Sequence, residues 1–248
     1  MKALKNALKL AALSLRAPRD VCWFLSTYRQ WQRTATPEWR ARLAEIKPRL
    51  KDRHESAGAA RGHYFLQDIW AAQSVHRHSA AEHVDVGSRV DGFVAHVASF
   101  KPVQYVDIRP LATQVPGLTS VAGNVCALPF ADRSVASLSC LHVIEHIGLG
   151  RYGDPLDPNG WLSGLRELQR VLAPGGQLLI GTPCGRSRVV FHAHRVFSPA
   201  QIVAALPELK LQEFSLIQDD GATGWTANAS LTAADGLSYG CGLFRFTR

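Results

Sequence analysis

The sequence predicts an α/β protein whose core is a mostly parallel sheet. Three observations carry this expectation. Short apolar, β-branched runs alternate with amphipathic stretches of helical length from about residue 66 onward. A Pro-Gly-Gly punctuation falls between one such helix and the strand after it. The last two apolar runs have no helix between them.

Taken in order, strands are expected at 82–87 (EHVDVG), 103–108 (VQYVDI), 118–122, 135–141, 177–182, 211–218 and 241–246. Helices are expected at 66–79, 91–99, 160–173 and 198–206. Strand–helix–strand units cross over right-handed, which makes their strands parallel. Ala173-Pro174-Gly175-Gly176 is expected to end the helix of 160–173 before the fifth strand. The final pair, joined without a helix, is expected to close a seven-stranded sheet with an antiparallel last strand.

At 248 residues the chain can bury one substantial core. Hydrophobic residues at 46% and charged residues at 19% exclude a disordered chain. No apolar run approaches the roughly 18 residues that span a bilayer. The five cysteines are scattered, and none forms C-x-x-C. That argues against a disulfide framework and a structural zinc site, and it fits a reducing, cytoplasmic compartment. Asn228-Ala-Ser230 matches a glycosylation sequon, read as chance without a secretory signal.

The net charge of +8 is uneven. Residues 1–62 hold 14 Lys/Arg against 5 Asp/Glu, and residues 63–248 hold 14 against 15. The basic character therefore belongs to an N-terminal extension and not to the α/β domain, which disfavours nucleic acid as a partner. Residues 1–19 contain no acid and place Leu4, Leu8, Ala11 and Leu15 along one side of a helix. Such a helix can lie on an anionic membrane surface, which would put the protein at the inner face of the membrane. Alternatively it packs on the domain or a partner; a mitochondrial presequence is disfavoured by the sparse serine. Residues 20–61 are expected to continue helical, broken near Pro37 and Pro48, with residues 56–62 as a linker. The expected division is 1–62 and 63–248.

Ligands of open α/β sheets sit outside the carboxyl ends of the strands, where strand order reverses. After strand one comes Asp85-Val-Gly87-Ser88-Arg89-Val-Asp91-Gly92, where a glycine lets the backbone approach a ligand. After strand two, Asp107-Ile108-Arg109 offers a carboxylate that can take both hydroxyls of a ribose. Glycine turns and strand-end acids also arise for structural reasons, so neither signal is specific alone. The histidine-rich runs His142-Val-Ile-Glu145-His146 and His192-Ala-His194-Arg195 fall after strands four and five. A neutral imidazole there can take a proton, and Arg195 can hold an anionic acceptor. The same His142–His146 run matches the inverted zinc-peptidase pattern H-x-x-E-H. That pattern needs a helix, whereas a β-rich run leads straight into this one, so no metal is expected. The loop of 148–160, dense in Gly, Asp and Pro, is expected to shape an acceptor pocket. Residues 219–242 read as a flap or a plain connection.

The order of Gly123–Ser134 (containing LPFADRS), Ser139–His146 and Glu167–Gly176 (ELQRVLAPGG) resembles the signature of class I S-adenosylmethionine (SAM)-dependent methyltransferases, over roughly residues 80–218. The resemblance implies a Rossmann-like fold, SAM as cofactor and methyl transfer to a polar acceptor. It places Asp85, Gly87, Ser88 and Arg89 at the methionine end and Asp107 with Ile108 at the ribose. Asn124 and Val125 fall at the adenine, and Leu141 with His142 at the floor. Glu145, His146, His194 and Arg195 become the catalytic candidates on the acceptor side. Two departures stand out: Arg89 occupies a position that is usually glycine, and Asn124 one that is usually aspartate. Within the family the chain is similar to an uncharacterised branch marked by DVGSRVDGF, DIRP, HIGLGRYGDP and FHAHRV, often linked to surface-polysaccharide assembly. That implies a hydroxyl of a glycan or glycan-linked molecule as acceptor. A membrane-borne lipid or quinone-like acceptor is the second expectation, and a non-catalytic binding protein on the same fold is the rival.

Overall fold

The computed structural model describes residues 18–55, 58, 60–112, 114–218 and 224–248. The chain divides into two compact units, Met1–Ala59 and Ala60–Arg248. The expected helix over residues 1–19 lies outside the described residues up to 17.

In the first unit, α1 (Pro18–Thr34) carries Asp20 in its first turn, where a carboxylate meets the positive end of the helix. Asp20 also takes the side chains of Arg53 and His54, and the Arg53 guanidinium lies 4.5 Å above the Trp23 ring. Trp31 Nε1 donates to the Trp39 carbonyl at 2.9 Å, and Gln32 exchanges two hydrogen bonds with the Ala41 backbone. The expected run of helix through residue 61 stops at Thr34. Thr36 is extended ahead of Pro37, as a residue before proline prefers, and three single 3-10 turns take the place of the helix. Among the described residues, no helix is long and apolar enough to cross a membrane.

The second unit holds a seven-stranded sheet in the order β3-β2-β1-β4-β5-β9-β8. Its strands are β1 (His83–Val86), β2 (Val103–Asp107), β3 (Leu118–Ala122), β4 (Val135–Leu141), β5 (Leu172–Cys184), β8 (Lys210–Ile217) and β9 (Gly240–Thr247). Pairs from β3 to β5 are parallel, and β9 runs antiparallel between β5 and β8. Strand residues alternate between two apolar layers. Val84, Val86, Leu138, Cys140, Leu178 and Ile180 face α4 (Gly160–Val171) and α5 (Pro199–Ala204) through Leu165, Leu168 and Ile202. Val103, Tyr105, Leu179 and Leu243 face α2 (His63–Arg77) and the turn Val90–Val94 that runs into α3 (Ala95–Ala98). The chain builds outward from β1 to β3 and then returns to β4 beside β1, so strand order reverses between β1 and β4. A ligand crevice is expected at the carboxyl ends of those two strands.

The expected helices shift by a few residues at their ends, to His63–Arg77, Ala95–Ala98 and Pro199–Ala204, and one helix–strand junction is different in kind. Helix α4 ends at Val171, and β5 begins at Leu172 instead of near 177. Val135 pairs Leu172 while Ser137 pairs Gln177, so Ala173–Gly176 bulge out of a continuing strand, which is where a sheet tolerates proline. A small hairpin, β6 (Arg188–Val190) and β7 (His194–Val196), occupies the stretch after strand five, for which no strand was expected.

Candidate functional site

A cavity of about 430 Å³ opens at the carboxyl ends of β1, β2 and β4. Gly87, Asp107, Ile108, Asn124, Val125 and His142 line it, six of the ten residues expected to hold a cofactor. Gly87 sits at φ +70, and a Cβ there would meet Val143 at 3.1 Å and stand 3.9 Å from the Asp107 carboxylate. Only glycine leaves that space open. Asp107 accepts hydrogen bonds from the Tyr105 hydroxyl at 3.1 Å and the Arg109 backbone N–H at 2.7 Å, so its carboxylate is fixed in orientation. Asn124 Oδ1 already accepts the Cys126 N–H at 2.9 Å, which leaves the carbonyl one lone pair for a ligand.

The other four sit elsewhere. Asp85 is fully buried beneath the crevice, where it accepts from the Ser88 N–H (3.0 Å), the Ser88 hydroxyl (2.6 Å) and the Ser139 hydroxyl (2.5 Å). Ser88 in turn accepts the Leu141 N–H at 3.0 Å. Both residues shape the turn after β1 from below and do not line the cavity. Leu141 packs in the apolar layer under α2. Arg89 is turned out to Asp91 at 2.6 Å, and its guanidinium lies 5.6 Å from the centre of the Tyr64 ring.

Asp85 belongs to a buried polar line that the sequence did not reveal. His83, on the same face of β1, bridges the Ser137 and Ser139 hydroxyls at 2.8 Å each. Burial drives the His83 imidazole down to about 3, so it stays neutral. Burial raises the Asp85 carboxyl from 3.8 to about 6, against hydrogen bonds from Ser139 and Ser88 that pull it down. The folded state therefore holds the Asp85 proton more tightly than the unfolded chain. Stability from this group is full below about pH 4 and is lost as pH rises through 6. Asp85→Asn removes the titration. The variant's unfolding free energy, relative to wild type, should then rise by up to about 3 kcal/mol between pH 4 and pH 7 in urea titrations. Parallel curves at the two pH values would refute it.

A second, smaller chamber of about 270 Å³ adjoins the first. The two share Gly87, His142, His146 and Tyr152. Tyr64, Arg89, Leu141, Glu145, Arg151, His194 and Tyr239 complete the smaller one, so two of the four residues missing from the larger cavity border this one. His142 follows β4 directly at φ +54, a conformation costly for a side-chain-bearing residue and held by its N–H donating to the Gly181 carbonyl at 2.7 Å. The H-x-x-E-H run is a strand end followed by one 3-10 turn, Ile144–His146, and not part of an α-helix. Glu145, 1% exposed, lies between the two imidazoles: Oε1 is 2.6 Å from His142 Nδ1 and 3.8 Å from His146 Nε2. Burial lowers the His142 imidazole, but the charge of Glu145 and the neighbouring Cys241 thiol outweigh it and hold the ring well above its ordinary value.

His146 Nδ1 is 2.7 Å from the Ala193 carbonyl, which can only accept, so Nδ1 carries the hydrogen. In the neutral ring Nε2 then keeps its lone pair. His194 lies on β7 with its ring against Tyr239, and burial holds it below its ordinary range. Arg195 does not reach either chamber. Arg195 is 6% exposed, and its guanidinium donates to the carbonyls of Ile147 (2.6 Å), Pro158 (3.3 Å), Glu145 and Asp157 (3.5 Å each). The expected anion holder is instead the clamp of the 148–160 loop. That loop does line the larger cavity, through Gly148, Tyr152, Asp154, Pro155 and Asp157. Asp154 closes it by accepting the Gly148 N–H at 2.7 Å, and Tyr152 lies near two guanidiniums, Arg109 at 4.9 Å and Arg151 at 5.2 Å. Sequence reasoning missed Tyr64 and Tyr239, which come from the first turn of α2 and the approach to β9 and carry no local motif. Of residues 219–242, those at 219–223 lie outside the described residues. Thr226 bridges Leu216 of β8, and Leu231–Ala234 form a 3-10 turn.

Residues 131–215, about a third of the chain, match a family described as "Caenorhabditis protein of unknown function, DUF268". No curated protein matches the sequence significantly. Among solved structures the chain is similar to the [4+2]-cyclase SpnF, with TM-score 0.52 at 12% identity over 77% of this chain and 85% of that one. It is similar to geranyl diphosphate methyltransferase in complex with GPP and sinefungin, with TM-score 0.51 at 14% identity, over 73% and 77%. It is also similar to the N-methyltransferase NodS from Bradyrhizobium japonicum WM9 in complex with S-adenosyl-L-homocysteine, with TM-score 0.50 at 17% identity, over 89% and 97%. The fold is the Rossmann-like fold of class I methyltransferases.

Proposed function

We propose that the chain is a SAM-dependent methyltransferase that methylates a hydroxyl of a polar acceptor. The observation that carries this reading is the pair of chambers meeting at Gly87, His142, His146 and Tyr152. One has the residues for a nucleoside cofactor, and the other has an imidazole base at its wall. The fold shared with NodS, a methyltransferase solved with S-adenosyl-L-homocysteine, supports it. The open space over Gly87 and the strand-end carboxylate of Asp107 fit the methionine and ribose parts of SAM. When bound, SAM supplies an electrophilic methyl group on a sulfonium. Asp107 and Asn124 orient the nucleoside, His146 Nε2 takes the acceptor's proton, and Glu145 stabilises the imidazolium that results. Tyr64, Tyr152 and Tyr239 offer aromatic faces, and Arg89 and Arg151 offer donors, a lining suited to a glycan or glycan-linked acceptor.

The test is calorimetry with SAM and S-adenosyl-L-homocysteine. Asp107→Ala should weaken SAM by about 1.5–3 kcal/mol, the loss of charge-assisted hydrogen bonds. Wild-type protein that binds neither compound, or an Asp107→Ala variant of unchanged affinity, would remove the cofactor site from this crevice.

A second reading, a membrane-borne acceptor, is favoured by the β6–β7 hairpin, whose tip exposes Val189, Val190 and Phe191, the last at 72%. It agrees with residues 1–62 delivering the enzyme to an anionic inner membrane face while residues 63–248 hold the site. Lysines and arginines near an anionic bilayer contribute roughly 1 kcal/mol each, and salt screens them. The full chain should sediment with anionic vesicles at low salt and release as salt rises, and deleting residues 1–19 should abolish that binding yet spare SAM affinity. Loss of folding in the deletion would show a packing helix instead. Indifference to anionic vesicles combined with steep, salt-dependent DNA binding would show a nucleic-acid arm.

A further inference from the structure

Beside the smaller chamber, which His142 lines, three donors from distant parts of the chain converge. His63 opens α2, His142 follows β4 and Cys241 lies at the start of β9, with one ligand atom of each within 4.8 Å of the others. His142 Nε2 stands 3.6 Å from Cys241 Sγ. Zinc bonds of about 2.3 Å to sulfur and 2.0–2.1 Å to nitrogen, at a tetrahedral angle, put those two atoms about 3.6 Å apart. This pair already has the spacing a tetrahedral cation sets, and the His63 ligand atom, within 4.8 Å of both, makes the third corner. The other nitrogen of His142 is held at 2.6 Å by the buried carboxylate of Glu145. A carboxylate on the far side of an imidazole is the usual device that orients a metal-ligating histidine. The Tyr64 and Tyr239 rings wall the cluster, 4.9 Å from His142 and 5.5 Å from His63 respectively.

We propose that His63, His142 and Cys241 form a binding site for a soft divalent cation, zinc first, with Glu145 positioning His142. A thiolate with two imidazoles selects zinc over magnesium or calcium. Three protein donors leave a fourth position for water or an acceptor oxygen, the pattern of zinc sites that take part in chemistry. The assignment does not rest on methyl transfer, because its readout is the metal itself. It is also distinct from the H-x-x-E-H pattern, since it uses only one histidine of that run.

The test is titration of the reduced, chelator-treated full chain with cobalt(II), followed by displacement with zinc. One equivalent should bind, with a thiolate-to-cobalt charge-transfer band in the near ultraviolet that zinc removes. Cys241→Ser should abolish the band and weaken binding more than about 100-fold, and Glu145→Gln should weaken it about 10- to 100-fold. Because Cys241 is buried, His63→Gln serves as a second variant, with thermal melting as the check on folding. It too should lose stoichiometric binding. No saturable binding by the wild type, or binding that survives both Cys241→Ser and His63→Gln, overturns the site and leaves a thiol–imidazole hydrogen bond.

Discussion

Replacing His146 with alanine should lower kcat for methyl transfer about 10²- to 10⁴-fold, the range for a lost general base. Its hydrogen bond to the Ala193 carbonyl fixes the tautomer, so Nε2 keeps the lone pair on a ring that borders both chambers. The effect belongs to the rate and much less to SAM affinity, because the proposed cofactor contacts come from β1, β2 and the turn after β3. The measurement is label transfer from methyl-labelled SAM to a panel of saccharides and glycolipids, and then kcat and KM on the best acceptor. Imidazole added to His146→Ala should restore part of the rate and should not rescue His146→Gln, whose side chain fills the space. A variant that keeps wild-type kcat, or whose pH profile is unchanged, would leave the proton to solvent or to His194.

The parts of this protein that were legible in the sequence are those governed by local spacing. Short apolar, β-branched runs gave β1 through β4 nearly to the residue, and the acid that ends β2 and the glycine after β1 fell in the crevice where strand order reverses. The rest was not legible because it depends on partners far away in sequence. Asp85 reads as a pocket acid, yet its lone pairs are spent on Ser88 and on Ser139, 54 residues later. Cys241 reads as one scattered cysteine, yet it meets His142 across 99 residues. Ala173–Gly176 carries the composition of a helix stop, and α4 does stop there. The parallel partner β4 then captures the residues on both sides into one strand, which no local rule anticipates. The hairpin β6–β7 was hidden for a related reason: its outer residues Val189 and Val190 are exposed and show no inside–outside alternation.

Arg195 is the sharpest case, and its role can be separated from the one its sequence position suggested. A guanidinium beside a candidate active site invites an anionic ligand. Here its donors already go to four backbone carbonyls on either side of the 148–160 loop. Arg195→Met keeps most of the volume and removes every donor, leaving those carbonyls without their charged partner in a buried site. Hydrogen bonds to charged groups contribute about 1.5–3 kcal/mol, and each orphaned buried acceptor costs about 1–3 kcal/mol. Solvent reaching the freed loop recovers some of that sum, so a loss of about 3–5 kcal/mol in unfolding free energy is expected. Arg195→Lys should recover part of it, because one ammonium reaches fewer carbonyls than a planar fork. The loop should also become accessible: hydrogen exchange over residues 148–160 should quicken in Arg195→Met before the sheet is affected. SAM affinity should fall with it, since Asp157 and Gly160 line the larger cavity, where the cofactor is proposed to bind. An anion-holding arginine would behave otherwise, with unchanged stability and a raised KM confined to charged acceptors. That outcome, with exchange in the loop unaltered, would return Arg195 to the acceptor and remove it from the clamp.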